Sequence, residues 1–91
     1  MKYTIFYKKV LGNKEITLYP NPVKTNLNVS ISGYEENSTG ECVLFDMQRT
    51  LILRQKINTK EFQIYMSAYN SRNYSMRIFV DGEQTTWKVV K

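Results

Sequence analysis

Ninety-one residues, 42% hydrophobic and 13% aromatic, suffice for one packed core and exclude a disordered chain, but at this length only about 60–65% of the unfolded surface is buried and a second core has no room. The net charge of +5 favours anionic partners without choosing among them, and because Lys8-Lys9 is the only adjacent basic pair, no basic run marks a nucleic-acid arm. One cysteine and no histidine exclude an intrachain disulfide, a Cys/His zinc site and a Ser-His or Cys-His nucleophile.

Residues 1–15 open on Met-Lys-Tyr-Thr-Ile-Phe-Tyr, an apolar run too short for an export signal and without a small-residue cleavage site. They form a leader or an extra edge strand, with Gly12-Asn13-Lys14 as the boundary before the domain proper at 16–91. Residues 16–19 make a short strand. Pro20 and Pro22 then remove two backbone donors and hold Tyr19 and Asn21 extended, so the chain follows a sheet's edge without continuing its ladder. Over 25–32, Leu27, Val29 and Ile31 alternate with Asn26, Asn28 and Ser30, which predicts a strand with one apolar and one polar face.

Beyond the Gly33–Gly40 loop, Cys42–Phe45 and Leu51–Leu53 are continuously apolar, as in strands covered on both faces or crossing the middle of a sandwich. Between them stands the turn Asp46-Met-Gln-Arg49. Cys42, flanked by Val43-Leu44-Phe45, reads as a small core residue, since the surroundings that lower a thiol pKa are not visible. Phe62, Ile64 and Met66 alternate with Gln63 and Tyr65, and Tyr74, Met76, Ile78 and Val80 alternate with Ser75, Arg77 and Phe79. Both runs predict strands. Asp81-Gly82 suits a two-residue type I′ turn, which sets Val80 opposite Glu83, Met76 opposite Trp87 and Tyr74 opposite Val89 on a core face, with Arg77 opposite Thr86 and Ser75 opposite Lys88 on the other. With 84–90 the count is about seven short strands. No window keeps a helical apolar period, so the expectation is an all-β fold, an immunoglobulin-like antiparallel β-sandwich.

Nothing in this order carries chemistry. Glu41, Asp46, Asp81 and Glu83 have no spacing that requires a shared cleft, Glu35-Glu36-Asn37 reads as a solvated turn in preference to a calcium loop, and four glycines form no phosphate-binding motif. The Asn-x-Ser/Thr sequons at Asn28, Asn37 and Asn73 are read as unmodified. Tyr65 and Phe79 fall on outward faces, yet a second sheet covers them as readily as nucleic acid does. No stretch reaches the roughly 18 apolar residues of a membrane span. Elimination leaves a non-enzymatic chain with no cofactor or metal and a role in binding, signalling or structure.

The order of motifs resembles the type A C-terminal sorting domain of the type IX (Por) secretion system of Bacteroidetes, from about Ile16 to Lys91. The resemblance opens with Tyr19-Pro-Asn-Pro22 and continues through Leu27-Asn-Val-Ser-Ile31, Val43-Leu-Phe-Asp46 and Leu51-Ile-Leu53. Ile64-Tyr-Met-Ser67 followed by Asn73-Tyr-Ser-Met-Arg-Ile78 is similar to the family's segment in which an alternating apolar run ending in Ser precedes Gly-x-Tyr and a second alternating run, and Trp87-Lys-Val-Val-Lys91 to its closing lysine-bearing strand. Two positions depart from the pattern. Where the family usually places Gly and then a basic residue after the Asp, this chain has Arg49-Thr50, and where Gly usually precedes the Asn-Tyr pair it has Arg72. Both departures put a Cβ where the turn is expected to need positive φ.

The resemblance implies an address label at the end of an exported cargo, recognised by the outer-membrane translocon and its shuttle proteins and commonly removed by a sortase-like attachment complex. It implies transit through the periplasm, after an N-terminal signal that this chain does not display, to the outer-membrane surface or the medium. By analogy the recognised residues are Tyr19, Pro20, Asn21, Pro22, Asp46, Tyr74, Lys88, Val89, Val90 and Lys91. The remaining reading is a free-standing β-sandwich that binds carbohydrate or protein, which for sugars predicts a cleft or flat face with several aromatics. In either case unpaired strand edges permit a homodimer.

Overall fold

Period-two alternation and closely spaced turns produce strands throughout. The computed structural model describes residues 7–20 and 23–91, in which the elements are β1 (Tyr7–Leu11), β2 (Lys14–Tyr19), β3 (Asn26–Ser32), β4 (Gly40–Asp46), β5 (Leu51–Lys56), β6 (Glu61–Tyr65), β7 (Asn73–Val80) and β8 (Glu83–Val90). They form two four-stranded antiparallel sheets, β1-β2-β3-β6 and β5-β4-β7-β8. The chain crosses between the sheets after β3, β5 and β6, which gives the immunoglobulin-like sandwich its arrangement. The eighth strand is β1, which extends the first sheet by pairing Tyr7 with Leu18 through Leu11 with Lys14. Gly12, at φ 65°, supplies the positive angle at the first position of the two-residue β1–β2 turn.

The apolar faces meet between the sheets. Ile16, Leu18, Leu27, Val29, Ile31 and Ile64 from one sheet pack against Cys42, Leu44, Met76, Ile78, Trp87 and Val89 from the other, all buried. The β7–β8 register is as the sequence predicts, with Val80 opposite Glu83, Met76 opposite Trp87, and Tyr74 opposite Val89. Asp81 at φ 50° and Gly82 at φ 85° meet the requirement of a type I′ turn for two positive angles.

Two expectations change. The apolar run Leu51–Leu53 is not covered on both sides: β5 is an edge strand, Leu51 is 46% exposed, and a register shift between Leu44 and Phe45 disrupts its alternation. The β4 run behaves as expected for an interior strand, since Val43 on the outward side lies between its cross-strand partners Arg54 and Arg77 and is only 3% exposed. Among the described residues, positive φ outside glycine occurs at Arg49 (68°) and Asp81. Arg49 therefore does occupy a left-handed position, but Arg72 does not.

The side of the sandwich where β1 meets β8 is held by Lys9, whose Nζ lies 4.9 Å from the centre of the Trp87 ring and donates to the Thr86 carbonyl. A cation over an indole face is attracted by the ring quadrupole. The indole Nε1 in turn donates to Thr85 Oγ1 at 2.7 Å, so the buried ring keeps its polar atom satisfied.

Candidate functional site

The antiparallel topology brings the ends of β2, β4 and β8 and the start of β7 to one pole of the sandwich. Tyr19 ends the β2–β3 ladder opposite Asn28, and Pro20, joined to it by a cis peptide bond, lies beyond the end of β2. Asn21 and Pro22 lie outside the described residues. Val23 is buried and its N–H donates to the Val90 carbonyl at 2.8 Å. A segment that leaves the first sheet is thereby fastened to the last strand of the second.

Asp46, Tyr74 and Val89 form one rung across β4, β7 and β8. Asp46 organises the β4–β5 turn, its Oδ1 accepting from the N–H groups of Gln48 and Thr50, each at 2.9 Å. The Arg49 N–H donates to the Asp46 carbonyl at 3.1 Å. This use of a short carboxylate to replace ladder bonds explains why Asp stands where the strand must reverse. Tyr74 is 3% exposed, and its hydroxyl donates to the Asn70 carbonyl at 2.6 Å. A buried tyrosine at the start of this strand, bonded to backbone a few residues upstream, is the tyrosine corner of immunoglobulin-like sandwiches. The ring of Tyr69 lies 6.2 Å from that of Tyr74.

Lys88 is exposed on the outward face opposite Ser75, and Val89 is buried. Val90 is half-buried. Lys91 continues the clasp, because its N–H donates to the Arg72 carbonyl at 3.1 Å while its ammonium donates to the carbonyls of Tyr69 and, at 3.5 Å, Ser67. The β6–β7 loop is therefore tied down by the residue that ends the β8 segment. Of the sites expected from the sequence, Tyr19, Pro20, Asp46, Tyr74 and 88–91 gather at this pole. Sequence reasoning missed Val23, Tyr69 and Asn70 and read Arg72 only as a turn position; their contributions are largely backbone atoms that carry no residue-type signal. Tyr74, which the sequence did point to, carried such a signal, a tyrosine near the start of a strand directly after a polar loop.

The opposite pole has its own electrostatics. Asp81 Oδ1 accepts from the Thr39 N–H at 2.9 Å and Oδ2 lies 3.2 Å from Lys14 Nζ. Those partners, the Thr39 backbone first and then Lys14, hold the Asp81 carboxyl below its ordinary value because they favour its charged form. Asp46 lies at the far end of β4 from this cluster, while Glu41 lies 3.5 Å from Arg54 Nε. In the core, burial and then the Glu41 charge push the Cys42 thiol up to about 12, which leaves almost no thiolate at neutral pH.

The fold and this pole define an immunoglobulin-like sandwich whose closing strand is latched to the segment that follows Pro20. The family model described as the secretion system C-terminal sorting domain matches residues 17–91. The chain belongs to that family, the sorting domain of the type IX secretion system. Its members are sorting signals, not enzymes, and their route leads to the cell surface or the medium by interaction with the secretion machinery. Among curated proteins none matches the chain.

Proposed function

We propose that the domain acts as a non-enzymatic address label which directs an attached cargo through the type IX translocon. Shuttle proteins and a sortase-like attachment complex are its partners, met in the periplasm and at the outer membrane. The observation that carries this reading is the bond from the Val23 N–H to the Val90 carbonyl, 2.8 Å long. It joins the two ends of the family pattern, the Pro20 segment and the 87–91 strand, into one surface that a partner could read only in the folded state. Lys88 supplies an exposed charge beside it. Tyr74, Asp46 and Val89 hold the surface from within, so their contribution to recognition is through its shape.

The test places the whole chain behind a signal peptide and a fluorescent reporter in a host with the secretion system. The expected result is surface or medium delivery, lost on deleting Trp87–Lys91 and weakened by Lys88→Glu, which leaves the core intact. Retention of the intact fusion in the periplasm refutes the proposal. Full delivery after the deletion does so equally.

A further inference from the structure

The outer face of the β1-β2-β3-β6 sheet carries a groove of about 570 Å³, separate from the β7–β8 surface and sharing only Tyr19 with the pole described above. Its walls and floor bear Thr17 and Tyr19 from β2, Asn28 and Ser30 from β3, and Glu61 and Gln63 from β6. Register puts them in two rows, Thr17-Ser30-Glu61 and Tyr19-Asn28-Gln63. The next row adds Asn26 and Tyr65, the latter 69% exposed. Strands about 4.8 Å apart and rows about 6.8 Å apart give a patch of roughly 10 by 14 Å, the footprint of a disaccharide.

The polar atoms of this face are arranged and partly held. Asn28 Nδ2 donates to the Tyr19 carbonyl at 3.3 Å, and its Oδ1 accepts from Gln63 Nε2 at 2.8 Å. The Gln63 amide is thus fixed with a carbonyl and a second N–H to spare. A planar amide beside hydroxyls offers adjacent donors and acceptors, which is what vicinal hydroxyl groups require, and tyrosine rings at Tyr19 and Tyr65 provide apolar faces for the C–H surface of a pyranose. Glu61 is the one ionic side chain among the lining residues, and Lys8, beside Thr17 at the β1 edge of the same row, is paired with Glu15 at 3.6 Å. Anionic ligands are disfavoured there even though the chain as a whole carries +5, because the local carboxylate dominates at short range.

We propose that this groove binds a neutral oligosaccharide, with Gln63, Asn28 and the Thr17 and Ser30 hydroxyls as hydrogen-bonding groups and Tyr19 and Tyr65 as stacking platforms. Volume and mixed lining match those of small-ligand sites, which combine apolar surface with a few placed polar groups. The open form predicts weak affinity, a Kd of the order of millimolar.

The test is an amide-shift titration of the whole chain by NMR with four neutral disaccharides, cellobiose, laminaribiose, mannobiose and chitobiose, and with a glucuronate-containing disaccharide as the charged counterpart. At least one neutral sugar should shift the amides of Thr17, Asn28, Ser30 and Gln63 and saturate. Gln63→Ala and Tyr65→Ala, both at exposed positions and so leaving the fold intact, should each weaken it at least about fivefold, while Lys88→Ala leaves it unchanged. Absence of shifts with all four neutral sugars at tens of millimolar overturns the proposal. So does preferred binding of the charged disaccharide, shifts centred on β7–β8, or affinity that survives both variants.

Discussion

Replacing Arg49 with glycine isolates the energetic cost of a left-handed residue in the β4–β5 turn. Arg49 is exposed and sits at φ 68°, where a side chain costs about 1–2 kcal/mol through contact between Cβ and the following carbonyl. Glycine removes that cost but returns about 0.5–1 kcal/mol of backbone entropy to the unfolded chain. The turn itself should survive, because Asp46 Oδ1 still receives the N–H groups of Gln48 and Thr50. The net expectation is about 0.5–1 kcal/mol of added stability, a rise in Tm of roughly 2–8 °C for a domain of this size. Arg72→Gly provides the contrast, since Arg72 has no positive φ among the described residues and only the entropic loss applies. It should lower stability by about 0.5–1 kcal/mol. Thermal and urea unfolding followed by circular dichroism measure both. An Arg49→Gly variant no more stable than the parent, or equal stabilisation by Arg72→Gly, would refute the assignment of strain to one turn and not the other.

Tyr74→Phe deletes the hydroxyl bonded to Asn70 at 2.6 Å while keeping the buried ring, and should cost about 1–1.5 kcal/mol, read as a lower urea midpoint at unchanged m value. Lys91→Ala removes the ammonium from the Tyr69 and Ser67 carbonyls. Because a latch acts locally, amide exchange over 66–72 should quicken about fivefold or more while core amides of β3 and β4 change little; uniform acceleration would point to global destabilisation. For Asp81, whose folded carboxyl is held below its ordinary value by Thr39 and Lys14, the stabilisation is present above the unfolded pKa of about 3.9 and fades as pH falls through the folded value. Asp81→Asn should therefore flatten the acid limb of the stability curve below about pH 4, and an unchanged limb would exclude this group as its source.

Sequence periodicity alone determined which residues face inward. A strand's side chains alternate with period two, so Leu27, Val29 and Ile31 had one possible common face, and Asp81-Gly82 pointed to the β7–β8 register because that pair favours a turn with two positive φ angles. The all-β sandwich and the sorting-domain pattern followed from such local signals. Tertiary structure alone decided that Leu51 lies on an exposed edge, since an apolar run does not report how many neighbours its strand has. It also decided that Arg49 is left-handed and Arg72 is not, because φ at a turn depends on how the flanking strands are paired. The pole where Val23 meets Val90 and Lys91 meets Tyr69 depends on backbone carbonyls and N–H groups, which every residue has. Hydrogen bonds between such groups acquire positions only when the two sheets close over the core, so no residue type could have announced them.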